Sequence, residues 1–114
     1  MPSEDAQKAA LFDIRDNILF AQSLVRGMPY EAFRVDRVAF YAVTRCLEII
    51  SEASRRLGPD IKSRQARIPW RKIAAAGNIY RHNYEDVQQK LVWSTIHDDL
   101  PSLLSAVEAE IPPE

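Results

Sequence analysis

The chain has 114 residues, 46% of them apolar and 27% charged, with a formal net charge of −1 and a single cysteine. That length predicts one domain, residues 1–114, with a small core that self-association would supplement. Near-neutrality argues against a generic polyanion binder, whose affinity comes from uncompensated Lys and Arg, and a lone Cys46 excludes an intrachain disulfide.

From Ser3 to about Arg26 the apolar residues Leu11, Ile14, Ile18, Ala21 and Val25 recur at spacings of three and four, the period of one helical face. Ser3 suits the N-cap, and Gly27 and Pro29 close the helix. The stretch "MPYEAFRV" then reads as a connection. Asp36 can cap a second helix reaching about Leu57, with Ala39, Val43, Cys46, Ile50, Ala53 and Leu57 as its core stripe. On that pattern Cys46 is a small core residue, not a nucleophile. A second stripe of Val38, Tyr41, Arg45, Ile49, Glu52 and Arg56 mixes apolar and charged members, as a partly buried or intersubunit face does. Gly58-Pro59 ends this helix.

"PDIKSRQARIP" is expected to be a loop with room for one short helical turn. Pro69 then opens a third helix, "PWRKIAAAGNIYRH", interrupted by Gly77. Asp86 with Gln89 three residues later resembles a capping box, so a fourth helix is expected from there through Val92, Ile96, Leu100, Leu103 and Val107, leaving Tyr84 at the junction. Pro101 predicts a kink or short break after Asp98-Asp99. No stretch alternates with period two, and the whole predicts an all-α, up-and-down bundle of four to five helices.

Charge is unevenly spread. Between Arg55 and Lys72 lie seven basic residues, Arg55, Arg56, Lys62, Arg64, Arg67, Arg71 and Lys72, against the single acid Asp60, whereas acids dominate from Glu85 onward. A solvated basic loop and a phosphate-facing patch both fit. Two histidines, His82 and His97, with no HExxH or CxxC spacing, leave no metal site to expect, and no Gly-rich loop follows a strand to cradle a nucleotide cofactor. Glu48 and Glu52 stand one turn apart, with Arg45, Arg55 and Arg56 at spacings that neutralise them. No apolar run approaches the ~20 residues of a membrane span and no signal-peptide pattern opens the chain, so a soluble cytoplasmic protein is expected, the reducing compartment that a lone cysteine suits.

Two motifs then stand together: "LEIISEASRRLG" in the second helix and "NIYRHNY" before the fourth. In this pairing the chain resembles the HepT-like HEPN toxins, small all-helical ribonucleases encoded beside a minimal nucleotidyltransferase antitoxin. Their motif is R-N-x-x-x-H-x-Y, with an acidic residue in an "I-G-E-A" segment. Asn78, His82 and Tyr84 take the Asn, His and Tyr positions, and Ser51-Glu52-Ala53 stands for "G-E-A". Where the family has its catalytic arginine, this sequence has Gly77.

The resemblance implies a HEPN-type bundle, a homodimer with two motif copies along one cleft, RNA as substrate with tRNA the expected class, metal-independent cleavage without a cofactor, and a nucleotidyltransferase partner that transfers AMP onto Tyr84. In such a cleavage the 2′-OH attacks the adjacent phosphate, a histidine moves protons, and a cation stabilises the charge that builds on phosphorus. His82 is the expected acid/base, Asn78 its orienting neighbour, and Glu52 a supporting carboxylate. Arg81, four residues after Gly77, is the candidate cation, folding back into the room a glycine leaves, with Arg71 or Arg45 entering from elsewhere as the alternative. Arg45, Arg71 and Lys72 are the expected RNA-binding cations. Tyr80 is expected in the core. Gly77 keeps two alternatives open: a catalytically inactive HEPN module that binds RNA or the nucleotidyltransferase, and a structural bundle with no RNA role.

Overall fold

Ser3 and Asp36 begin the two longest helices in the way their side chains predict. The Ser3 hydroxyl accepts the Ala6 N–H at 3.0 Å to open α1, Glu4–Val25, and the Asp36 carboxylate accepts the Ala39 N–H at 3.0 Å to open α3, Arg37–Arg55. These elements belong to a computed structural model that describes residues 2–77 and 86–113. α1 buries Ala10, Leu11, Ile14, Ile18, Ala21 and Val25, the face its periodicity marks, against α3. The two run antiparallel: beyond the end of α3, the Gly58 N–H donates to Gln7 Oε1 at 2.8 Å, and Arg56 reaches Asp13 at 2.8 Å.

Gly27, at φ +73°, turns the chain out of α1. The connection predicted there contains a short helix, α2, Tyr30–Phe33. Four residues cannot hold a helix by propensity. What holds this one is Phe33, fully buried with its ring 5.1 Å from Trp93 and 6.3 Å from Phe40. In the expected loop after Gly58 the short helical turn it had room for is α4, Pro59–Arg64, with Pro59 in its first turn and Ile61 buried. Sequence periodicity cannot be read over elements this short.

α5 spans Trp70–Ala75 and packs on α3, so the described part of the third predicted helix is helical. α6, Asp86–Ser94, begins where the capping-box spacing places it. It passes through a π-helical turn, Thr95–Asp99, into α7, Leu100–Glu110, which lies on α1. The break expected before Pro101 takes the form of this wide turn: the Leu100 N–H bonds the Thr95 carbonyl five residues back. Widening the helix there accommodates a residue that has no N–H and would crowd the carbonyl four positions earlier.

Val92, Ile96, Leu100, Leu103 and Val107 complete the core, as expected for that segment. Cys46 is 2% exposed, and burial pushes its thiol up from its ordinary value, which suits a packing residue and not a nucleophile. The result is an all-α bundle, with no strand among the described residues.

Candidate active site

Glu48, Ser51 and Arg55 fall at spacings of three and four, one face of α3, and the end of α5 lies across that face. A helix as short as α5 leaves its last carbonyls without partners inside it. The Ser51 hydroxyl donates to the Ile73 carbonyl at 2.7 Å, and Arg55 Nη2 donates to the Ala74 carbonyl at 2.7 Å. Ser51 Oγ also accepts the Gly77 N–H at 2.7 Å. Ser51 is 1% exposed, so no solvent competes for either bond.

Gly77 is itself buried, and the reason for a glycine is visible. A Cβ there would stand 3.1 Å from Ser51 Cβ, from Ser51 Oγ and from the α-carbon of Glu48. The backbone of the motif's first residue therefore lies against α3.

The other candidates among the described residues are Glu52, Arg45, Lys72 and Arg71. Glu52 is mostly exposed and pairs with Arg56 at 3.3 Å, the arginine that also reaches Asp13 on α1. It therefore stands on the α1 side of α3, one residue or about 100° around from Ser51. Arg45 is exposed and lies 3.5 Å from Glu48. Lys72 pairs with Asp99, at the end of the π-helical turn, at 3.0 Å. Arg71 is exposed and makes no ion pair among the described residues. Asn78, Arg81, His82 and Tyr84, and Tyr80 with them, lie outside the described residues.

Four of the seven cations from Arg55 to Lys72 are engaged, three of them by carboxylates. Arg55 caps α5, Arg56 pairs with Asp13 and Glu52, Arg64 pairs with Glu110 at 2.7 Å, and Lys72 pairs with Asp99. Four of its seven members, Arg55, Lys62, Arg67 and Arg71, make no ion pair among the described residues, and of these Arg55 is held by the Ala74 carbonyl. A polyanion would meet separated cations there.

Sequence reasoning passed over Ser51 as the residue that organises this corner. Its signal was a hydroxyl immediately after core Ile50, because a buried polar group must find partners. Among the described residues no group of three or more His, Cys, Asp or Glu could hold a metal ion, and no helix is long and apolar enough to cross a membrane.

An all-helical bundle whose α3–α5 contact leads directly into "NIYRHNY" defines a small HEPN-type protein. The chain belongs to the ribonuclease HepT-like family, whose sequence model matches residues 14–110. It is 35% identical over 103 residues to "Probable ribonuclease HepT" of Thermococcus cleftensis, covering 90% of this chain and 94% of that protein. It is 32% identical over 101 residues to "Putative RNase MJ1380" of Methanocaldococcus jannaschii, covering 89% and 93% of the two. A second protein of that organism, "Putative RNase MJ1216", is 32% identical over 108 residues, 95% of this chain and 88% of its own length. No solved structure matches significantly.

Proposed function

We propose that the chain is a metal-independent endoribonuclease toxin that cuts RNA, tRNA being the class to test first. The observation that carries this reading is the match of residues 14–110 to a ribonuclease family in a chain that keeps Asn78, His82 and Tyr84 at the motif spacing. His82 takes the proton from the attacking 2′-OH and returns one to the leaving 5′-oxygen, the acid/base role for which imidazole is the usual side chain. Asn78, four residues earlier in the chain, orients the ring. Arg81 supplies the cation for the phosphorane-like transition state, and Glu52 acts at a distance through its ion pair with Arg56. Arg71, without an ion pair among the described residues, contacts RNA phosphate, with Arg45 and Lys72 exchanging Glu48 and Asp99 for the substrate.

Regulation in this reading is by AMP transfer to Tyr84 from a nucleotidyltransferase antitoxin, whose added phosphate repels substrate at the same cleft. Two copies of the chain share that cleft. Val38 and Tyr41, 79% and 52% exposed on the first turns of α3, supply apolar surface for such a dimer. The test is cleavage of labelled tRNA by protein shown by intact mass to be unmodified, with EDTA present. His82→Ala is expected to lose at least about 10²-fold in rate, and Arg81→Ala to lose a similar factor. Cleavage unchanged in His82→Ala rejects the enzyme.

One observation favours a second reading, the inactive RNA- or nucleotidyltransferase-binding module: the motif arginine is absent and its place is packed against α3. Salt-sensitive RNA binding without any cleavage would establish it.

A further inference from the structure

We propose that Ser51 and Gly77 are a matched pair that positions the motif segment, the serine holding the amide from which that segment departs and the glycine being required because the serine stands opposite it. The catalytic part of this inference rests on the ribonuclease reading above; the pairing itself does not.

The geometry makes the Ser51 hydroxyl directional. It has one proton, and that proton goes to the Ile73 carbonyl at 2.7 Å. Its lone pairs then face the Gly77 N–H, also at 2.7 Å. At 1% exposure neither bond exchanges readily with water. α3 is long and capped, so a group anchored to it inherits a fixed position. Asn78 follows Gly77 by one peptide bond and His82 by five residues, so fixing Gly77 sets the origin of the segment that carries both. Ser51 is thus a positioning residue with no contact to substrate.

The steric half of the pair follows from the 3.1 Å distances that a Cβ at Gly77 would make to Ser51 and to the Glu48 backbone. Two helical segments approach this closely only where one of the facing positions lacks a side chain. In the motifs quoted above the glycine stands at the place of Ser51 and the side chain at the place of Gly77. In this chain they have changed sides.

The experiment combines local exchange, a stability cycle and cleavage. Ser51→Ala is expected to speed hydrogen exchange at the Gly77 amide while core amides of α1 and α7 keep the parent's rates, and to lower kcat for tRNA cleavage about tenfold with KM unchanged. In the cycle, Gly77→Ala should lower Tm markedly in the parent and less in a Ser51→Gly background, because the opposing side chain is gone. Unchanged exchange at Gly77, or additive Tm changes, overturns the pair. Faster exchange with kcat unmoved overturns its positioning role. Should the parent cut no RNA while exchange and the cycle behave as expected, the pair stands and the ribonuclease reading falls.

Discussion

Gly27 and Gly77 are the same residue used for opposite reasons. Gly27 has a left-handed backbone at φ +73° and nothing within 4 Å of where a Cβ would be; its requirement lies in its own dihedrals. Gly77 needs no such backbone freedom, and its requirement lies in its neighbours, Ser51 and the backbone of Glu48. The first kind of glycine ends a helix anywhere. The second records a contact between two particular helices, and here that contact lies one residue before the motif.

The difference can be tested by substitution. Gly77→Arg, which writes the family's arginine back into the motif, should have the largest effect: overpacking against α3 costs about 1–3 kcal/mol, and cleavage should fall instead of rising. A gain in cleavage with Tm retained would mean that α3 yields at this point, and the contrast between the glycines would collapse. Gly27→Ala should cost about 1 kcal/mol, the penalty of a left-handed residue, read as a Tm lowered by a few degrees with cleavage untouched. Asn in the same place should cost less, since it tolerates that backbone, whereas at position 77 asparagine should be no better than alanine.

A surface ion pair sets the lower end of the scale. Hydrogen bonds from Arg64 hold the Glu110 carboxyl below its ordinary value. A depressed carboxylate pKa gives stability that is fully present above the unfolded value near ~4.3 and is lost as pH falls through the folded value. Arg64→Gln should therefore show a small Tm deficit at neutral pH that closes in acid, and none of the cleavage loss expected at Ser51. A deficit that persists when Glu110 is protonated would assign the effect to packing of the arginine stem.

Much of this molecule was legible in its residues. Ser3 and Asp36 marked the starts of α1 and α3, the three-and-four spacing of Leu11, Ile14, Ile18 and Val25 marked the buried face of α1, and Asp86 with Gln89 marked the start of α6. α2 was not legible, because four residues carry no period, and α4 was legible only as room for one short helical turn; Phe33 and Ile61 hold them from outside. Pro101 announced a disturbance without its form, which the five-residue bond from Leu100 to Thr95 decided.

The same division runs through the candidate site. The motif residues Asn78, His82 and Tyr84, their spacing and the absence of the arginine belong to the sequence alone, since local chemistry and order along the chain require no partner to be read. That Gly77 is a contact and not a vacancy, that Ser51 and not Glu52 faces it, and that four of the seven cations between Arg55 and Lys72 are already engaged are decided by tertiary structure. Each depends on residues 19 to 46 positions apart meeting in space, a separation over which no pattern of neighbours carries information.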